Sequence, residues 1–173
     1  MKIKILSVTA IALTAVIIFF TVNTFSPQTK KAPDFSVNTI DGQVLNLGTF
    51  TGKPVLVTFW ATTCSTCIQE MPHLVNLYEE LNNEGLEIIS IAMYYDPPNR
   101  VVELSQQKEL PYPVALDIEG KTAQAFGNIK ATPTSFLISP NGMIIQKQVG
   151  ELNIDQLRTE IKQLIENNKT NLS

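Results

Sequence analysis

The chain of 173 residues is 44% hydrophobic and 17% charged, with a formal net charge of −3. That balance suits one globular domain with a short appendage and gives no sign of disorder. Its lysines and arginines are scattered rather than gathered in a basic patch, so no nucleic-acid partner is expected.

The first residues stand apart. Lys2 and Lys4 precede an uncharged run, Ile5 to Val22, interrupted only by Ser7, Thr9, Thr14 and Thr21. As a helix the run would span roughly 27 Å, close to the hydrocarbon thickness of a bilayer. The following Asn23-Thr24-Phe25-Ser26-Pro27 is a poor match to a signal-peptidase site, so residues 1–25 read as an uncleaved signal-anchor. No cysteine follows the run to carry a lipoprotein anchor. With the lysines kept inside, a single pass through the inner (cytoplasmic) membrane places the rest of the chain in the periplasm or otherwise outside the cytoplasm. Residues 26–31 (SPQTKK) read as a polar linker, 32–168 as the domain and 169–173 as a tail.

Within the domain, Ala32 to Val37 reads as an extended entry. Asp41-Gly42 is a turn signal, and Val44, Leu45 and Leu47 suggest a short strand. Val55-Leu56-Val57-Thr58-Phe59-Trp60 is almost wholly apolar, the pattern of a strand covered on both faces. From Ser65 the period changes to that of a helix, with an apolar stripe at Ile68, Met71, Leu74, Val75, Tyr78 and Leu81 and a stop at Gly85. Pro72, inside that pattern, should kink the helix or mark irregular packing.

Leu86 to Met93 reads as a second buried strand. Pro97-Pro98 opens a helix running to about Leu110, Val114 to Leu116 is a short strand, and Gly120 to Phe126 a short helix. Thr134–Ile138 and Met143–Val149 flank Pro140-Asn141-Gly142, a hairpin signal. Asn153 or Asp155 caps a closing amphipathic helix with Ile154, Leu157, Ile161, Leu164 and Ile165 on its apolar face. Alternating strands and helices followed by a hairpin predict an α/β fold, a mixed central sheet with helices on both faces.

Both cysteines, Cys64 and Cys67, lie in one stretch, WATTCSTCIQEMP, where the first apolar strand gives way to the helix. A structural zinc site needs four ligands, and the only histidine, His73, lies six positions beyond Cys67. No metal site is expected, although copper(I) held by the two thiols keeps a copper metallochaperone open as an alternative. A staple closing so short a loop removes little chain entropy, so stabilisation explains the spacing badly.

Redox chemistry explains it better. At a helix start the first N–H groups lack partners and the dipole presents partial positive charge, which favours a thiolate at Cys64. Cys64 would attack a substrate disulfide, and Cys67, one turn later, would face inward and resolve the mixed disulfide. Such exchange needs no cofactor.

Glu70 shares the helix face near that turn. A carboxylate there would raise thiol pKa values by like-charge repulsion and carry protons to or from Cys67. Trp60 reads as core or rim, with an indole placed to shape a substrate-docking surface. Thr132-Pro133 precedes a buried strand, and a cis bond there would set Pro133 against the cysteines, offering backbone groups to an extended substrate by strand addition.

Together these residues resemble the thioredoxin fold, and specifically the membrane-tethered TlpA/ResA-like thiol–disulfide oxidoreductases, which include cytochrome c maturation thioredoxins. The resemblance covers about Ala32 to Glu166. It is carried by Ala32-Pro33-Asp34-Phe35, by Phe59 to Cys67, by Glu70 with Pro72, and by Ala131 to Ile138 followed by Asn141-Gly142. It implies a nucleophilic Cys64, a resolving Cys67, Glu70 as the active-site glutamate and a cis Pro133. It further implies an inner-membrane electron donor that keeps the dithiol reduced, and exported protein disulfides as substrates. Apocytochrome c and a copper-site assembly protein both suit the chemistry as clients.

Two departures stand out. Thr63 occupies the place where many relatives carry tryptophan, and Thr58 the place where thioredoxin carries a buried aspartate. A thioredoxin-fold peroxidase fits worse, because position 61 is alanine and the chain's only arginines are Arg100 and Arg158.

Overall fold

The computed structural model describes residues 30–172. The signal-anchor expected over 1–25, and residues 26–29 of the expected linker, lie outside the described residues. No helix among the described residues is long and apolar enough to cross a membrane.

Eight strands form one mixed sheet: β1 (Lys30–Lys31), β2 (Ser36–Thr39), β3 (Val44–Asn46), β4 (Val55–Trp60), β5 (Glu87–Ala92), β6 (Val114–Leu116), β7 (Thr134–Ile138) and β8 (Met143–Val149). Their order across the sheet is β1-β8-β7-β4-β5-β6-β2-β3. The β4–β5 and β5–β6 pairs are parallel, as crossover helices require, and the other pairs are antiparallel. The helices are α1 (Ser65–Leu81), α2 (Pro98–Gln107), α3 (Lys121–Ala125) and α4 (Ile154–Leu172).

β4 lies at the centre, and all six of its residues are buried. Its alternate side chains feed two layers. Val55, Val57 and Phe59 join Ile89, Ile91, Phe136 and Phe126 on one face. There the Phe126 ring lies 4.9 Å from Phe136 and 5.3 Å from Phe59, centroid to centroid. Leu56 joins Ile88 and Leu137 on the opposite face, under Leu74, Leu77 and Leu81 of α1 and Leu157, Ile161 and Ile165 of α4. Trp60, at the end of β4, packs with Cys67, Met71, Ala92, Val101 and Val114, which ties α2 to the α1 face.

Several expectations shift. Lys30 and Lys31 are not linker: they pair with Ile144 and Met143 at the edge of the sheet, and the Ala32 N–H continues the contact to Gly142 O at 2.9 Å. The tail expected from 169 is helical, because α4 runs to Leu172. The second helix stops at Gln107, short of Leu110. Asn153 rather than Asp155 caps α4, its Oδ1 accepting the Gln156 N–H at 3.1 Å. Helix α1 is a single span through the exposed Pro72. After Leu81 a short 3₁₀ turn leads to Gly85, whose φ of +125° lets the chain reverse into β5.

The buried face of α1 is also rotated from the expected stripe. Cys67, Glu70, Met71, Leu74, Leu77 and Leu81 are buried, whereas Ile68, Val75 and Tyr78 are only half-buried. Leu77 is fully enclosed within the core layer that the sheet shares with α1 and α4. Leu77→Ala should therefore lower the unfolding free energy by about 3 kcal/mol through lost burial and a residual cavity, measured by urea denaturation. A loss below about 1 kcal/mol would show that this layer is not close-packed.

Candidate active site

The site forms where β4 hands over to α1. After Trp60 the chain turns through Ala61, Thr62 and Thr63, with the Cys64 N–H donating to Ala61 O at 3.0 Å. Cys64 is the N-cap of α1. Its backbone is extended (φ −89°, ψ 102°) and its Sγ accepts the Cys67 N–H at 3.2 Å. No acidic residue occupies the first turn of α1, so the positive end of the helix faces the sulfur uncompensated by its own residues. Cys64 and Cys67 are joined as a disulfide, their Cα atoms 5.3 Å apart. Cys64 is half-buried, whereas Cys67 is only 4% exposed. The two sulfurs thus lie at different depths, one at the mouth of the helix and one beneath it.

Behind Cys67 is a cavity of about 10 Å³ lined by Thr58, Trp60, Glu70, Ser90, Tyr112 and Pro133, among others. Its size admits about one water molecule. Glu70 is 3% exposed, and its Oε1 accepts the Leu152 N–H at 2.7 Å. Burial pushes the Glu70 carboxyl above the usual carboxylate range. The Leu152 hydrogen bond opposes this, the nearby Glu151 charge reinforces it, and His73 opposes it. Tyr112 is buried too, and burial, with the Glu70 charge behind it, holds its phenol proton more tightly than usual. Thr58, where thioredoxin carries an aspartate, is buried and receives a hydrogen bond from the Ser135 hydroxyl at 2.9 Å. Glu70 is therefore the carboxylate of this cavity.

The Thr132–Pro133 bond is cis, as the resemblance implied, and Pro133 shares the cavity with Cys67. The Pro133 carbonyl is already engaged by the Gly150 N–H at 2.8 Å. Thr132, which precedes Pro133, is half-buried. Trp60 requires a correction as a substrate-binding residue. It is 2% exposed, packed in the wall around Cys67, and so presents no surface to a docked chain. Among the described residues its Nε1–H has no hydrogen-bond partner.

Sequence reasoning missed Asp96. This buried carboxylate accepts both the Thr62 N–H (2.6 Å) and the Thr62 hydroxyl (2.5 Å), clamping the turn that leads into Cys64. Its only signal was its place before Pro97-Pro98, which marks a turn and says nothing of a partner 34 positions away. Among the described residues no group of three His, Cys, Asp or Glu side chains is placed to hold a metal ion.

Comparison with known proteins agrees with this geometry. The Redoxin family profile matches residues 27–165, and the chain belongs to that family. It is 38% identical over 136 residues to thiol-disulfide oxidoreductase ResA of Bacillus thuringiensis subsp. konkukian, covering 78% of this chain and 77% of that protein. It is 30% identical over 146 residues to the ResA of Geobacillus thermodenitrificans, covering 84% and 83%. Among solved structures, a thioredoxin-family thiol:disulfide interchange protein from Chlorobium tepidum superposes with a TM-score of 0.73 at 26% identity, covering 81% of this chain and 99% of that one. With its C-x-x-C pair in a thioredoxin-like fold, the chain is a thiol–disulfide oxidoreductase of the ResA-like kind.

The raised Glu70 pKa has a consequence for stability. The folded chain holds the Glu70 proton to higher pH than the unfolded chain, whose carboxyl titrates near 4.5. Stability associated with the neutral carboxyl is intact below that value and is lost as pH rises through the folded-state pKa. Glu70→Gln removes the titration and can keep the bond to Leu152. Its thermal midpoint, relative to the parent, should therefore rise with pH above 4.5. Parallel midpoint curves for the two proteins would contradict this.

Proposed function

We propose that the chain is a reductase of exported protein disulfides, tethered to the inner membrane by residues 1–25 with its catalytic domain in the periplasm or otherwise outside the cytoplasm. The observation that carries the direction of the reaction is the buried Glu70 carboxyl in one cavity with Cys67. A negative charge there disfavours thiolate formation, and Ser65-Thr66 supply no positive charge to offset it. A dithiol without a strongly depressed pKa makes a poor oxidant and a serviceable reductant.

In this reading the Cys64 thiolate attacks one sulfur of the client disulfide. The client S–S bond breaks, a mixed disulfide forms on Cys64, and the first client thiolate leaves and takes a proton from solvent. Cys67 gives its proton to the Glu70 carboxylate and attacks Cys64 Sγ, expelling the second client thiolate. Two electrons pass to the client, and the chain is left with the Cys64–Cys67 disulfide seen here. An inner-membrane electron donor restores the dithiol. Thr132, just ahead of the cis Pro133, holds the client as an extended segment beside Cys64. Apocytochrome c and copper-site assembly proteins are the client classes that suit the reading, because both need paired cysteines reduced before they take up their metal or haem.

The test is turnover and potential, measured on the full chain in detergent. Cys64→Ser should abolish insulin disulfide reduction, and Glu70→Gln should slow it by about 100-fold with an altered pH profile, the scale of a lost general acid–base group. The reduction potential should lie nearer about −270 mV, typical of thioredoxin, than about −120 mV, typical of the most oxidising exported enzymes. A value near the latter would overturn the direction proposed.

A further inference from the structure

As β5 ends at Ala92, the chain turns at once. The Asp96 N–H donates to Met93 O at 2.9 Å, closing a tight turn whose two central residues are Tyr94 and Tyr95. Such corners ordinarily go to Gly, Asn, Asp, Ser or Pro, which supply the backbone freedom or local hydrogen bonds a turn needs. Two tyrosines supply neither. The two residues are 59% and 51% exposed, and their rings pack edge to face, centroids 5.3 Å apart. They contribute little to the core, so folding does not explain them.

The turn is fixed to the dithiol. The Met93 N–H donates to Trp60 O at 3.0 Å, and the Asp96 carboxylate clamps Thr62, two residues before Cys64. Trp60, Ala92 and Leu116 are register partners across β4, β5 and β6. Thr62, Tyr94 and Ile118 each lie two residues beyond that row. Neighbouring strands are about 4.8 Å apart, so the patch starts one to two strand spacings from the dithiol turn.

Ile118, 58% exposed, sits in the next turn, which the Gly120 N–H closes onto Asp117 O at 2.9 Å. Tyr94 lies over Gly120, where a Cβ would come within 3.3 Å of its ring. The adjacent charges, Glu119 and Lys121, are paired with each other. The patch is therefore apolar and aromatic, and the charges that flank Ile118 in sequence neutralise each other.

We propose that Tyr94 and Tyr95, with Ile118, form a docking surface for apolar side chains flanking the disulfide of a client polypeptide, and so set client preference. The proposal rests on the exchange activity of Cys64 and Cys67. A client sulfur that reaches the half-buried Cys64 brings its neighbouring residues across the mouth of the site. Pro133, just before β7, bounds one side of that mouth and the tyrosine turn, just after β5, bounds the other. Rigid tyrosines give large contact area at low entropic cost, which is why they recur as binding hot spots.

The test uses two cystine-linked peptides, one with leucine and phenylalanine beside the cysteines and one with glycine and serine. Each is mixed with the pre-reduced full chain in detergent, and the second-order rate of peptide disulfide loss is recorded. In each run the peptide S–S bond is reduced to two thiols as the Cys64–Cys67 dithiol is oxidised, so no other reductant enters. The parent should prefer the apolar-flanked peptide by about tenfold, the scale of one aromatic anchor. The Tyr94→Ser/Tyr95→Ser double variant should bring the ratio to about one, and Tyr94→Phe/Tyr95→Phe should retain the preference. Exchange by the parent without preference, or a preference that survives the serine variant, would overturn the docking surface alone. Exchange with neither peptide would overturn both this surface and the exchange activity beneath it.

Discussion

One hydrogen bond organises the site: the Cys67 N–H pointing at Cys64 Sγ across the first turn of α1. It exists because β4 is buried on both faces and delivers the chain at a fixed point, and because a three-residue turn then starts the helix. With Cys64 as N-cap, the sulfur sits where the backbone offers unpaired donors and partial positive charge. One helical turn later Cys67 faces inward. The difference in depth between the two sulfurs, on which the proposed split into attacking and resolving thiol rests, follows from that geometry.

The electrostatics of the site are a balance. The helix terminus favours a thiolate, while the buried Glu70 carboxyl beneath it opposes one. Glu70 is held by the Leu152 N–H, on the segment joining β8 to α4, so the last third of the chain supports chemistry performed near its middle. Asp96 does the same from the other side by clamping Thr62. Both carboxylates are buried: one lies in the cavity with Cys67, and the other fixes the turn that leads into Cys64.

Much of this was legible in the sequence because it is local. The nearly all-apolar run of β4, the period change at Ser65, the C-x-x-C at the junction and the Asn141-Gly142 hairpin each declare themselves within a few residues. What was hidden depends on distant partners. Lys30 and Lys31 look like linker until β8 offers an edge to pair with. Helix α1 seemed to bury Ile68 and Tyr78, but the buried seam runs through Cys67, Glu70, Leu74, Leu77 and Leu81. Cys67 was expected to face inward, but Glu70 does not look like a core residue, so the apolar count pointed to a neighbouring stripe. Trp60 beside the motif suggested a docking residue, yet the last position of a doubly covered strand still faces a filled layer. The Glu70–Leu152 contact joins residues 82 positions apart, which no local pattern records.

The proposed mechanism depends most on the unequal placement of the two sulfurs. The direct measurement is alkylation of the fully reduced chain near neutral pH, with the modified cysteine assigned by peptide mass. Cys64 should be labelled at least about tenfold faster than Cys67, as expected for a half-exposed sulfur at a helix mouth against a buried one. Equal labelling, or faster labelling of Cys67, would contradict the assignment of nucleophile and resolving thiol on which the mechanism rests.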